Sequence, residues 1–170
     1  MSVGVRIGLI VLNMFAALWA YAALRVAGAG PVVSLLPVLV SLAIVALGWR
    51  RATLAPVRGP RVGRVVGIWT GIEFAALFVV ANVLVNIHRP DLMLPLGAII
   101  VGLHFIPLGH GIPVRLYYGT AAGLLVVGLI GLLLGDPLRS LVVGFGAAFV
   151  LWVTALAINR ETALVEAARP

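Results

Sequence analysis

Six long apolar runs divide this chain, and each ends at a cluster of glycine, proline or charge. The runs lie at about 5–26, 31–49, 65–87, 92–109, 114–134 and 138–158. Each is about 20 residues long, the length at which a helix rising 1.5 Å per residue spans the hydrocarbon core of a bilayer. No run alternates polar and apolar residues as a half-buried strand would. The pattern predicts an all-α fold: one domain, residues 1–170, forming a polytopic transmembrane bundle of six helices. Within it, Pro37 interrupts the second run, and Gly135-Asp136-Pro137 turns the fifth run into the sixth. The first run is followed by Ala27-Gly28-Ala29, a small-residue stretch like a signal-peptide cleavage site, but its length and its Asn13 favour a membrane helix.

Composition confirms the solvent. Hydrophobic residues make up 63% and charged residues 10%, with a mean hydropathy of +1.21, too little polar surface for a water-soluble domain. The net charge of +7 comes entirely from arginine, since the chain has no lysine. These arginines lie between apolar runs and not in a basic stripe, so they read as topology signals and not as a nucleic-acid surface.

The loop RRATLAPVRGPRVGR, from Arg50 to Arg64, is short and basic, and the positive-inside rule places it in the cytoplasm. With six helices, Arg6, Arg50, Arg51, Arg58, Arg61, Arg64, Arg115, Arg160 and Arg169 fall on that side and Arg25, Arg89 and Arg139 on the other. Both termini are then cytoplasmic, and the expected location is a bacterial inner membrane. Cysteine is absent, which removes disulfides, thiolate metal sites and thiol catalysis.

Glu73 is the one acidic residue inside a long apolar run, and His104 is the one histidine inside such a run. A charged carboxylate facing lipid costs at least ~2.5–3.5 kcal/mol, so Glu73 should face the bundle or a water-filled cavity, paired or neutralised. The arithmetic of helical rise puts Glu73 about 5 Å from the middle of the third helix, and His104, on a helix running the other way, at about the same depth. The two can meet. Asn13, Ser41 and Thr120 lie near the same level and would complete a polar layer, while Thr70 is a hydroxyl that could keep Glu73 neutral. Pro95, Gly97, Gly102 and Pro107 loosen the helix that carries His104, and broken helices at membrane depth often line binding sites. Asn82 and Asn86 lie nearly opposite Glu73 and are expected to bond to neighbouring helices.

Small residues recur four apart, at Ala16 and Ala20, Gly67 and Gly71, Gly119 and Gly123, Gly131 and Gly135, and Gly144 and Ala148. In lipid such spacing lets helix backbones approach. Packing within the bundle is the expected use, with a homo-oligomer contact as the second.

Catalytic signatures are missing: no Ser-His-Asp arrangement, no H-E-x-x-H and no phosphate-cradling loop. His88 and His110 fall at opposite surfaces, so no histidine cluster can hold a metal or a haem, and no cofactor is expected. The expected function is binding or translocation of a small solute or ion at Glu73 and His104, with lipids as surroundings. Its rivals are an intramembrane enzyme using Glu73 as acid or base, with His104 assisting, and a non-catalytic membrane partner or assembly protein.

Val101-Gly102-Leu103-His104-Phe105-Ile106-Pro107-Leu108, with Glu73 in the preceding helix and Leu116-Tyr117-Tyr118 in the next, resembles a segment of uncharacterised small bacterial six-helix membrane proteins. The resemblance covers about 65–120 and implies no activity. The Ala16-x-x-x-Ala20 spacing in a six-helix chain is similar to the vitamin-binding S components of energy-coupling-factor transporters, an analogy of architecture alone.

Overall fold

A computed structural model describes residues 3–51, 60–112 and 114–167, with side chains over 8–49, 62–112 and 114–160. Most of the basic loop, including Arg58, and Arg169 lie outside the described residues. The described residues are largely helical, with no strand among them, and they include six helices long and apolar enough to cross a membrane. They are α1 (Val3–Val26), the pair α2 (Pro31–Ser34) and α3 (Leu36–Arg51), α4 (Pro60–Asn86), α5 (Met93–Gly111), α6 (Leu116–Leu133) and α7 (Leu138–Ala167).

Local chemistry explains where these helices start, break and end. Pro37 has no N–H to give to the carbonyl of Val33, and the helix is interrupted between Ser34 and Leu36. The Ser34 hydroxyl donates to the carbonyl of Gly30 at 3.0 Å. Gly28, at φ +75°, closes α1 in the left-handed conformation that favours glycine, and Ala29 N–H bonds back to Leu24 O at 2.9 Å. The same closure ends α4, with His88 at φ +56° and Arg89 N–H bonded to Leu84 O at 2.8 Å.

Two helices are longer than the hydropathy pattern predicts. Proline fits the first turn of a helix, where its missing N–H needs no partner, and α4 starts at Pro60. At the other end of the chain, α7 continues to Ala167 through a stretch in which Glu161, Ala163 and Leu164 are strong helix formers.

The core lies among α1, α5, α6 and α7. Ala16, Ala20, Ala23, Ala147, Ala148 and Ala155 are buried, so α1 and α7 pack on small side chains, and Trp19, Phe105, Leu124, Val143 and Leu151 fill the rest. Adding a Cβ at Gly144 would bring it to 2.7 Å from Ala23 Cβ and 2.8 Å from Trp19 O, which shows how closely the two backbones run. Gly123 meets Val150 at 2.9 Å in the same sense. Gly67, Gly71, Gly119 and Gly135 have nothing within 4 Å, so those members of the four-residue pairs do not serve packing within the bundle.

Helix α4 stands apart. It packs against α5, and 11% of its spanning window is buried, against 28–44% for the other five spans. Its buried residues are Glu73 and Leu84, flanked by half-buried Val66, Leu77 and Val80, all on one face.

At the end of the bundle where α4 meets α5, Arg89 holds Asp91 through two hydrogen bonds of 3.0 and 3.1 Å, which push its guanidinium above the ordinary value and keep it charged. Asp91 also pairs with Arg139, which is buried, donates to Gly131 O at 3.2 Å and lies 3.8 Å from Asp136. Ser140 donates to Asp136 at 2.8 Å. This cluster fastens the α4–α5 turn to the α6–α7 turn. Arg139, counted from sequence as an outer topology charge, is therefore a structural group. Replacing Arg139 with Gln should lower the melting temperature in detergent clearly more than replacing the half-exposed Arg89 with Gln, because only Arg139 is buried and joins the two turns through its charged contacts. Equal melting temperatures would remove Arg139 from this role.

Candidate functional site

Glu73 and His104 meet. Glu73 is the polar member of the one face that α4 turns toward α5, and His104 looks back at it from the middle of α5. His104 Nδ1 lies 3.5 Å from Glu73 Oε2, with both side chains about nine-tenths buried. The same Nδ1 is 3.2 Å from the backbone carbonyl of Trp69. A carbonyl only accepts, so Nδ1 carries the hydrogen and donates it to Trp69 O. The tautomer is thereby assigned. Nε2 makes no hydrogen bond among the described residues and is the ring atom free to exchange a proton. Phe105 stands edge-on to the imidazole, with centroids 5.8 Å apart, and closes one side of it.

The local sequence explains this geometry. Trp69 and Glu73 are four apart on α4, so the carbonyl of the first and the side chain of the second lie one turn apart on adjoining sectors. Pro107 leaves the carbonyl of Leu103 without its helical donor. Even so, α5 is one continuous helix from Met93 to Gly111, which corrects the expectation of a broken helix. Pro95 sits in its first turn, where proline is tolerated. Gly97 and Gly102 admit Trp19 and the Ala121–Leu125 stretch of α6, at 3.3 and 3.1 Å from a built Cβ, so they are close-packing positions and not hinges.

Beside the pair, an open cleft of about 530 Å³ lies between α4 and α5, lined by Val65, Trp69, Pro107, His110 and Gly111. Trp69 belongs to both the cleft and the His104 contact. A second groove of about 210 Å³, between α1, α4 and α5, is lined only by apolar and aromatic side chains, among them Trp19 and Leu77.

The remaining residues of the expected polar layer are buried in other seams. Asn13, Ser41 and Trp152 form a chain joining α1, α3 and α7: Trp152 Nε1 donates to Ser41 Oγ at 2.9 Å, and Ser41 Oγ donates to Asn13 O at 2.9 Å. Asn13 Nδ2 bonds to Leu9 O at 2.9 Å, while its Oδ1 has no partner among the described residues. Thr120 pairs with Thr154 at 2.7 Å between α6 and α7. Thr70 is half-buried and makes no side-chain hydrogen bond among the described residues. Common depth thus gathered one pair, not one layer. Asn82 and Asn86 are exposed and donate to their own helix, at Phe78 O (2.7 Å) and Asn82 O (2.8 Å), instead of bonding to another helix.

His88 and His110 are exposed at opposite ends of the α4–α5 hairpin, and no group of three or more metal-ligating side chains gathers among the described residues. Asn159, a residue that sequence reasoning left aside, reaches from α7 to Ile44 O of α3 at 3.4 Å. Its position at the end of an apolar run gave no sign of that role. Comparisons with protein families, with curated proteins and with solved structures find no match to this chain.

Proposed function

We propose that this multi-pass membrane protein binds or translocates a small solute or ion at the Glu73–His104 pair, in a bacterial inner membrane with both ends in the cytoplasm. One observation carries the reading: an acid and an imidazole within 3.5 Å of each other, about nine-tenths buried on facing membrane helices. Such groups are costly in a bilayer and are retained where they do chemistry or handle charge. The cleft beside them supplies a route for water, or for a small solute, to the level of Trp69, one helical turn from Glu73. The pair accepts and releases a proton without a metal: the carboxylate takes one, and His104 Nε2 takes another while Nδ1 stays committed to Trp69 O.

Reconstitution in vesicles containing a pH-sensitive dye, with imposed proton, sodium and potassium gradients, tests this. Wild-type protein should dissipate at least one gradient faster than empty vesicles, and Glu73→Gln should lose most of that flux. Flux equal to empty vesicles under every gradient, or unchanged in the variant, would reject the site.

A further inference from the structure

The surroundings of the Glu73–His104 pair differ on its two sides. Toward the Gly111 end of α5, the cleft is partly polar and includes the exposed imidazole of His110. Pro107 stands in its wall and leaves the carbonyl of Leu103, the residue before His104, without a helical donor. Water finds hydrogen-bonding partners there. Toward the α4–α5 turn, the inward face of α4 continues through Leu77, Val80 and Leu84, and α5 opposes it with buried Ala98 and Val101. Trp19 of α1 closes that side, since a Cβ built at Gly97 would stand 3.3 Å from its ring. The groove that remains there, walled by Leu77, Leu94 and Val101 among others, offers almost no polar surface and leaves water without partners.

We propose that the proton is the substrate of this pair and that, in this conformation, it arrives only from the Gly111 end. The inference rests on the reading of Glu73 and His104 as a functional site and narrows it. Alkali cations bound within a membrane replace their hydration shell with several carbonyl and carboxylate oxygens, often at unwound helix segments. Around the pair, α4 and α5 are continuous helices and Trp69 O already accepts the Nδ1 hydrogen. One carboxylate, and the Thr70 hydroxyl a turn away, are too few ligands. A solute fares no better, because neither Glu73 nor His104 lines the cleft, so a molecule held there touches Trp69 and not the pair. A proton needs only a hydrogen-bonded water. It passes from a hydronium in the cleft either to Nε2, giving an imidazolium that keeps its Nδ1 hydrogen on Trp69 O, or to the Glu73 carboxylate, giving a neutral carboxyl; water is left behind, and release reverses the step. Of the other titratable groups on the packed elements, His110 faces the cleft, Tyr117 stands behind Phe105 and Tyr118 is exposed. Asp91 is held by Arg89 and Arg139 at the far turn, and the remaining arginines of α4, α6 and α7 stand near the helix ends.

Infrared spectroscopy of the protein in lipid nanodiscs, with Glu73→Gln assigning the carboxyl C=O band of Glu73, reads the binding. The band should titrate with pH, and a tenfold increase in sodium or potassium, with choline holding the ionic strength constant, should leave the midpoint unmoved. A cation bound at the carboxylate would instead lower the midpoint by up to about one pH unit per tenfold increase. A midpoint that follows sodium or potassium would overturn the proton as substrate while keeping Glu73 as an ion site, and a carboxyl that does not titrate would overturn both readings. The route is read with single cysteines, since the chain has none of its own. In sealed vesicles a membrane-impermeant thiol reagent should modify Val65→Cys from one side only, the side opposite to that from which it modifies His88→Cys, and should leave Leu77→Cys untouched from either side. Modification of Leu77→Cys, modification of Val65→Cys from the His88 side, or no modification of Val65→Cys at all would overturn the one-ended route.

Discussion

Gly144→Leu should prevent stable assembly of the bundle. The Gly144 position sits where α7 runs against α1, and even a Cβ would stand 2.8 Å from the Trp19 carbonyl and 3.3 Å from Ala23 Cα. Both are backbone atoms, so no rotamer change can make room, and the two helices must separate. Separation would open the seam formed by Ala16, Ala20, Ala23, Ala147 and Ala148, where contact is close because every side chain is small. Overpacking a well-filled core costs about 1–3 kcal/mol, and more where the backbone itself must move. Denaturant titration in mixed micelles should show Gly144→Leu unfolded or nearly so, and Gly144→Ala folded but weakened. Gly119→Leu, with nothing within 4 Å, should match wild type. A Gly144→Leu protein as stable as wild type would mean that α1 and α7 are not in backbone contact.

The second large effect concerns the buried pair, and it is asymmetric. His104→Leu leaves the Glu73 carboxyl inside the α4–α5 seam without the imidazole beside it, and a buried polar group that loses its partner costs about 1–3 kcal/mol. Glu73→Leu leaves His104 its bond to Trp69 O and should cost less. The double variant replaces both groups by apolar side chains in a seam already lined by Leu77 and Leu84, and it should recover most of the loss, since removing both partners of a buried polar contact can be nearly neutral. The coupling from this double-mutant cycle should lie well above ~0.5 kcal/mol, the usual scatter of independent sites. Additive losses would separate the two residues energetically.

How much of this could be read from sequence differs by kind of inference. Helix number and approximate limits followed from run length, because the bilayer fixes how many apolar residues a crossing needs. The Glu73–His104 contact was accessible because helices joined by a short turn pack side by side, and residues equidistant from the turn share a depth. Depth says nothing of direction around the helix, and so Asn13, Ser41 and Thr120, at a similar level, belong to the seams of α1, α3, α6 and α7 instead. Glycine spacing has the same ambiguity: Gly67 and Gly144 belong to similar four-residue pairs, yet one faces outward and the other touches a neighbouring backbone. The Asp91–Arg139 contact was hidden because the two residues lie on different turns, and only the packing of α5, α6 and α7 brings those turns together.

Distance in a bilayer is the most direct test of the site. Protein labelled with ¹⁵N in the histidine ring and ¹³C at the glutamate carboxyl carbon, in lipid membranes, can be measured by solid-state NMR dipolar recoupling, with His104→Gln and Glu73→Gln assigning the signals. A protonated His104 Nδ1 should couple to the Glu73 carboxyl carbon at a separation consistent with a 3.5 Å N···O contact. An unprotonated Nδ1, or no coupling between the two labels, would contradict the pairing.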